Sequence, residues 1–115
     1  MTPIVDPELV AEIRRIEKAT GRTDVFSGFV GKLENAIVGF EPEFSACVAR
    51  GDATAAVRAA HTLKGTCRQL GAMAMGDLFA EIERIAKTGD FSSASLKFVE
   101  GAPLIAESLS ALKHS

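Results

Sequence analysis

Apolar residues recur at steps of three and four along most of the chain, which is the period of an amphipathic α-helix. The pattern is interrupted by glycines, two of them followed by aspartate: Gly21, Gly51-Asp52, Gly71 and Gly89-Asp90. Glycine is typical of the end of a helix and aspartate of an N-cap, so each interruption indicates where one helix ends and another begins. With no useful β pattern, the chain is predicted to be all-α.

The interruptions define five predicted helices. They run from 6 to the stop at 21, from 23 or 24 to about 50, from 53 to 70, from 73 to 88, and from about 92 onward. Their inward stripes are predicted in chain order to be Leu9, Val10, Ile13 and Ile16; Phe26, Phe29, Val30, Leu33, Ile37, Phe40, Phe44 and Val48; Ala56, Ala59, Ala60, Leu63, Cys67 and Leu70; Met75, Leu78, Ile82 and Ile85; and Leu96, Val99, Ile105, Leu109 and Leu112.

Proline and glycine within two of the stripes affect the predicted helix count. Pro42 removes one backbone hydrogen bond, yet the second stripe continues in phase beyond it, so we expect one long kinked helix. Gly101 and Pro103 are expected to bend the last helix. Four substantial helices joined by short turns favour an up-down-up-down antiparallel four-helix bundle, with the short first helix covering one end. We expect a single domain over residues 1–115.

Composition excludes several classes of protein. The 115 residues, 47% of them hydrophobic, suffice for one core, but no apolar run reaches the ~20 residues of a membrane span. A net charge of −2 provides no basic field for nucleic acid. The first six residues do not resemble a signal peptide, so a cytoplasmic protein is expected. Cys47 and Cys67 are predicted to be buried thiols, and two distant histidines predict no metal site.

His61, Lys64, Gly65 and Arg68 stand at i, i+3, i+4 and i+7, and so form one stripe on the outward face of the third helix. An imidazole beside two cations suggests a site for a negatively charged group. Unperturbed imidazole has a pKa of about 6.5 and is a good nucleophile near neutral pH. Its attack on phosphorus would give a phosphohistidine, which Lys64 and Arg68 could stabilise. The alternative is an ordinary solvated helix face.

Two further features bear on this stripe. Gly65 lies one turn after His61, although glycine inside a helix costs about 1 kcal/mol relative to alanine. It would keep His61 open to another protein, or it reflects chance or close packing of a neighbouring helix. A nucleophilic imidazole also benefits from an acceptor for its far N–H. Glu83 and Glu81 of the fourth helix are both candidates, and the pattern does not choose between them.

The segment His61-Thr62-Leu63-Lys64-Gly65, with Gly71 and Leu78–Glu83 beyond it, resembles the histidine-containing phosphotransfer (HPt) domain. The resemblance implies that His61 accepts a phosphoryl group from a receiver-domain aspartyl phosphate and passes it to another response-regulator receiver. It implies a hybrid histidine kinase as a further partner, and Mg²⁺ on the receiver with no cofactor on this chain. Lys64 would be the cation beside the phosphate, Gly65 the clearance residue and Glu83 the residue that orients the imidazole.

The resemblance also implies a mostly apolar docking surface around the histidine. Val57, one turn before His61, is the best candidate, with partial burial against the second helix as its alternative. Arg58 and Arg68 lie on the same outward face, although many family members have a small residue in place of Arg68. Phe79 replaces a small residue or thiol and is expected to be half-buried beside the site.

Other functions fit the sequence less well. The chain has no Gly-rich phosphate loop, so we expect a relay intermediate with no ATP-dependent kinase activity of its own. We also expect a monomer. The phosphoacceptor domain of sensor kinases normally has an acidic residue after its histidine, where this chain has Thr62. The remaining alternative is an HPt-like adaptor that binds receivers or kinases without phosphotransfer. Intact His61, Lys64 and Gly65 argue against it.

Overall fold

The computed structural model describes residues 4–114, and six α-helices occupy most of that range. They are α1 (Pro7–Thr20), α2 (Val25–Ala49), α3 (Ala53–Gln69), α4 (Met73–Lys87), α5 (Phe91–Glu100) and α6 (Ala102–Lys113). The described residues contain no β-strand, which confirms the all-α prediction. Residues 1–3, part of the stretch assessed for a signal peptide, and Ser115, the end of the predicted domain, lie outside the described range.

Local chemistry sets the ends of the helices as predicted. The carboxylates of Asp6, Asp52 and Asp90 accept a hydrogen bond from a backbone N–H in the first turn of α1, α3 and α5. Four glycines at helix ends have φ between 73° and 87°: Gly21, Gly51, Gly71 and Gly89. Because glycine lacks a Cβ, it adopts this left-handed conformation readily and lets the chain turn within a few residues.

α2 continues unbroken through Pro42, as predicted. Its buried face consists of Phe26, Val30, Leu33, Ile37, Phe40, Phe44 and Cys47. Successive residues of this face are four and three positions apart in turn, so they form a narrow stripe along one side of α2. Phe29 and Val48 are sequence neighbours of buried residues and are therefore turned about 100° away from them around the helix. Both are exposed, so their predicted place in the core was wrong.

The last predicted helix is divided into α5 and α6, which meet at Gly101. A Cβ at Gly101 would lie 2.5 Å from Leu78 of α4, so the chain passes close to α4 at this point. Pro103 adds a residue that cannot donate a backbone hydrogen bond. Leu96 and Val99 are exposed instead of inward, because α5 packs through Ala94 and Phe98. Ile16 of α1 is also exposed, since α1 turns Val10 and Glu17 inward.

The core lies where α2, α3 and α4 pack together, with α5 and α6 against α2 and α4. Phenylalanine rings form its centre: Phe40, Phe44, Phe79, Phe91 and Phe98. Cys47 and Cys67 are free and completely buried, as predicted. Burial raises the pKa of the Cys67 thiol to about 12, so it is inert near neutral pH. Within residues 4–114, no helix is long and apolar enough to cross a membrane.

Candidate functional site

His61 lies on the outward face of α3, and its side chain is 61% exposed. Behind it, Ala60, Leu63 and Cys67 of the same helix are buried in the core. The imidazole is therefore open to solvent while the backbone that carries it is fixed by packing.

The carboxylate of Glu83 on α4 lies directly beside this imidazole, and its side chain is only 6% exposed. Its Oε2 atom is 2.9 Å from Nδ1 of His61, and its Oε1 atom is 2.6 Å from Nζ of Lys64. Nζ of Lys87 is 3.4 Å from Oε2. A buried carboxylate requires such partners, because an unpaired charge away from water is costly. α3 and α4 therefore meet at one carboxylate with three nitrogen partners.

The charge state of Glu83 determines the tautomer of His61. Burial by itself would raise the pKa of Glu83, but hydrogen bonds from Lys64 and His61, the charge of Lys64 and a hydrogen bond from Lys87 lower it to about 2. An ionised carboxylate can only accept hydrogen bonds, so Nδ1 of His61 carries the hydrogen of this contact. Nε2 then holds a lone pair on the other side of the ring. The arrangement presents a nucleophilic nitrogen whose opposite N–H is held in place.

Of the two carboxylates that the sequence left open, Glu83 is the one that contacts His61. Glu81 forms an ion pair with Arg84 on its own helix, with Oε2 3.0 Å from Nε. The two glutamates are two residues apart and so point to different sides of α4. Only the packing of α4 against α3 brings one of them to the imidazole.

The two lysines at Glu83 differ in exposure. Lys64 was predicted as a cation beside the phosphate, and the structure places its ammonium group against Glu83, with the side chain 22% exposed. Lys87 was not predicted from the sequence as a site residue. Its side chain is 63% exposed. The i, i+4 spacing of Glu83 and Lys87 on α4 is a signal that could have found it.

Gly65 leaves open space beside His61. A Cβ built at this position would meet no described atom within 4 Å outside its own helix, so close packing of a neighbouring helix does not explain the glycine. On this side of His61, a shallow groove of about 510 Å³ separates α2 from α3. Its lining includes Ala36, Gly39, Ala55, Arg58, Ala59 and Thr62. Gly65 thus adds no side chain between the imidazole and the space on this side of α3.

Val57 and Arg58 lie on opposite flanks of the site. Val57 is half-buried against the core and lines a hollow with Ala86 and Lys87 of α4. Val57 is therefore partly covered beside α4, whereas the alternative interpretation of the sequence predicted partial burial against α2. Arg58 is exposed and lines the groove between α2 and α3.

Arg68 connects α3 to α4 at a distance from His61. Its Nη2 atom is 3.3 Å from Oδ1 of Asp77, and its aliphatic stem crosses Gly76, where a Cβ would lie 2.9 Å from the Arg68 Cγ. Gly76 thus makes room for the arginine. These contacts give Arg68 a role in packing the two helices together.

Phe79 is completely buried, so the expectation of a half-buried residue beside the site was wrong. It stands four residues after Met75 and three before Ile82, which places all three on the inward face of α4. Its ring packs against Phe40 and Phe98, with centroids 5.4 and 6.1 Å away. At this depth Phe79 supports the core and is out of reach of a docking partner.

In the comparison with protein families, the model of the Hpt domain matches residues 7–115 of the chain. Comparisons with curated proteins and with solved structures give no match. The family match includes every residue of the site around His61. Among residues 4–114, no group of three or more histidine, cysteine, aspartate or glutamate side chains is arranged to hold a metal ion.

Proposed function

The chain belongs to the Hpt domain family and functions in histidine phosphotransfer within two-component phosphorelays, and we propose that His61 is the residue that carries the phosphoryl group. One observation carries this assignment. The imidazole of His61 is exposed while its Nδ1–H is held by the buried, ionised carboxylate of Glu83. The opposite nitrogen, Nε2, is thereby left as the nucleophile and faces away from the core.

The proposed reaction moves a phosphoryl group from a receiver aspartate to His61. Nε2 attacks the phosphorus atom and forms an N–P bond, while the bond from phosphorus to the aspartyl oxygen breaks. The electron pair leaves with the receiver's carboxylate. The Nδ1 hydrogen stays on the ring, which becomes formally cationic beside Glu83. The reverse reaction delivers the phosphoryl group to a second receiver.

Glu83 and Lys64 support this step in different ways. Glu83 orients the ring before reaction and stabilises the positive charge that the ring acquires, as a fixed carboxylate does for other catalytic histidines. Lys64 binds the second oxygen of Glu83 and so keeps the carboxylate in place. Because both contacts exist before the partner arrives, the transition state requires little reorganisation.

Receiver domains of response regulators are the partners that we assign to the exposed face of α3. Gly65 lets a receiver approach the imidazole closely, since no side chain stands between them on that side. Val57 and Arg58 would lie in this contact surface, one on either flank of His61. A hybrid histidine kinase would supply the phosphoryl group upstream, and Mg²⁺ would be bound by the receiver.

Hpt domains are relay carriers that lack a kinase domain of their own. We extend this to a monomeric, cytoplasmic protein in which α2, α3, α4 and the α5–α6 pair form an up-down-up-down four-helix bundle and α1 covers one end. The bundle is supported by the packing of α3 against both α2 and α4. It places His61 on the outside of the third helix.

The assignment is tested by incubating the protein with a phosphorylated receiver. We expect an acid-labile, alkali-stable phosphate on the wild type and none on His61→Gln. His114→Gln is the matched control, because it removes the other histidine and should be labelled normally. A label that survives in His61→Gln would assign the phosphate to another residue. A wild type that binds receivers but takes no label would favour the adaptor function.

A further inference from the structure

The ion pair between Lys87 and Glu83 is much looser than the one between Lys64 and Glu83. Nζ of Lys64 is 2.6 Å from Oε1, and most of its side chain is covered. Nζ of Lys87 is 3.4 Å from Oε2, and its side chain is 63% exposed. The longer contact of an exposed ammonium group is the weaker of the two, because water and salt screen its charge. If Lys87 leaves, the buried carboxylate of Glu83 keeps its contacts with Lys64 and His61 and is not left unpaired.

Lys87 and His61 share one acceptor atom. Both Nζ of Lys87 and Nδ1 of His61 contact Oε2 of Glu83, which places the ammonium group beside the imidazole ring. A lysine side chain has four rotatable carbon–carbon bonds, so its ammonium group can move around the ring without movement of α4. If it did so, Oε2 would be left entirely to the N–H of His61.

Phosphorylation of His61 changes the charge balance around Oε2 of Glu83. The phosphoryl group adds a charge of about −1.5 to −2 on Nε2, across the imidazole ring from the carboxylate of Glu83. Of the two lysines that contact Glu83, Lys64 is already committed to Oε1 of that carboxylate. The new negative charge therefore favours a further cation, and Lys87 is the exposed lysine of the two beside the ring.

On the basis of the proposed function, we infer that Lys87 transfers its contact from Glu83 to the phosphoryl oxygens when His61 is phosphorylated. Lys64 remains on Glu83 throughout. Lys87 then stabilises the charge of the transferred group, and Glu83 binds the cationic ring more strongly because one competitor has left. The residue is thus a second, mobile cation of the relay site.

The test uses the full chain, phosphorylated with phosphoramidate so that no partner is needed. The pKa of the phosphohistidine phosphoryl group is measured by ³¹P NMR in the wild type, Lys87→Ala, Lys87→Arg and Lys97→Ala. We expect Lys87→Ala to raise this pKa, since a nearby cation favours the dianion. Lys87→Arg should restore the wild-type value. Lys97→Ala removes an exposed lysine of α5 and should leave the value unchanged.

Transfer from a phosphorylated receiver gives a second measurement. Lys87→Ala should slow it about tenfold, less than the loss of a buried oxyanion donor costs. A phosphoryl pKa that is the same in Lys87→Ala and the wild type would overturn the inference. So would a change confined to the imidazole pKa of the unphosphorylated protein, since Lys87 would then act on Glu83 alone. If the wild type takes no label at His61, the proposed function is wrong and the inference fails with it.

Discussion

Glu17 and Glu83 are both about 5% exposed and both ionised, yet they lie in very different surroundings. Glu17 of α1 accepts a hydrogen bond from Nη1 of Arg14 at 2.9 Å and another from the backbone N–H of Phe26 at 2.9 Å. Phe26 lies in the first turn of α2, where the N-cap residue Asp24 directs its carboxylate to Arg22 instead. Glu17 thus caps α2 from a different helix and attaches α1 to it.

The comparison identifies the property that separates the structural carboxylate of Glu17 from that of Glu83, for which we propose a function. Hydrogen bonds lower the pKa of both carboxylates. For Glu17 they come first from the Phe26 backbone and then from Arg14. For Glu83 burial is the largest single effect and raises the pKa, but the hydrogen bonds and the charge of Lys64 together outweigh it. Neither burial nor charge state therefore distinguishes the two. The difference is in the partner, because Glu83 holds an exposed imidazole with a free lone pair, whereas Glu17 holds a backbone amide and a guanidinium.

The largest expected effect comes from removing the functional carboxylate. Glu83→Ala should lower the rate of phosphotransfer from a receiver by about 10- to 100-fold, a loss of the size that follows when the hydrogen-bond partner that orients a metal-binding histidine is removed. Glu83→Gln should lose less, because an amide oxygen can still accept the Nδ1 hydrogen bond. The measurement is the initial rate of labelling, with circular dichroism to confirm folding.

Glu81→Ala is the control for this variant, since it removes a carboxylate from the same helix that pairs with Arg84. Its transfer rate should remain close to that of the wild type. If Glu81→Ala is slower than Glu83→Ala, the assignment of the orienting residue is wrong.

For the structural carboxylate of Glu17 we expect a loss of stability and no loss of phosphotransfer. Glu17→Gln should lower the melting temperature at pH 7 by roughly 4 °C, because the charged hydrogen bonds that attach α1 to α2 are weakened. The pKa of Glu17 is lowered in the folded state, so its contribution to stability is present above the unfolded value of about 4.3 and is lost as the pH falls. The difference in melting temperature between the wild type and Glu17→Gln should therefore become smaller below about pH 4.

Transfer by Glu17→Gln, measured well below its melting temperature, should match that of the wild type. A large loss of transfer in a fully folded variant would mean that α1 contributes to the relay site, and the distinction between the two carboxylates would fail. If the difference in melting temperature between Glu17→Gln and the wild type does not change with pH, the loss of stability comes from packing and not from charge.

The smallest effect is expected at Gly65, on the open side of the imidazole. Gly65→Ala should stabilise the protein by about 0.5–1 kcal/mol, since the added methyl group meets no described atom and alanine favours the helix. It should nonetheless slow transfer a few-fold, because the methyl group enters the space that the partner needs. Thermal unfolding and labelling rates measure the two changes.

Gly31→Ala on α2 is the matched control, because a Cβ there also meets no described atom within 4 Å. It should raise stability without slowing transfer. If transfer is unchanged even in Gly65→Gln, clearance for a partner is not the reason for the glycine.

The path of the chain at its C-terminal end shows where local patterns mislead. The apolar positions Leu96 and Val99 were predicted to face the core, and both are exposed. The helix breaks at Gly101, close to Leu78 of α4, and this contact is between residues far apart in the sequence. Hydrophobic spacing indicates that a segment is helical, but a neighbouring element decides which side of it is covered.

The candidate site shows the same difference between what local spacing predicts and what a neighbouring helix decides. The stripe of His61, Lys64 and Gly65 could be identified from the sequence, because all three residues belong to one helix and its period fixes their relative placement. The choice of Glu83 over Glu81 could not be made from helical spacing, and the contact of Lys87 was missed. Both depend on how α4 is rotated against α3.

The sequence by itself determined the helical class, the helix ends other than the boundary between α5 and α6, and the face that carries His61, because caps, glycine turns and the 3.6-residue period act over a few residues. The tertiary structure alone decided what surrounds that face. It buried Phe79, turned Arg68 to Asp77 and placed one ionised carboxylate against the far nitrogen of the imidazole. These outcomes depend on the packing of one helix against another, which no local pattern specifies. That packing provides the contact from which we propose the nucleophilic role of His61.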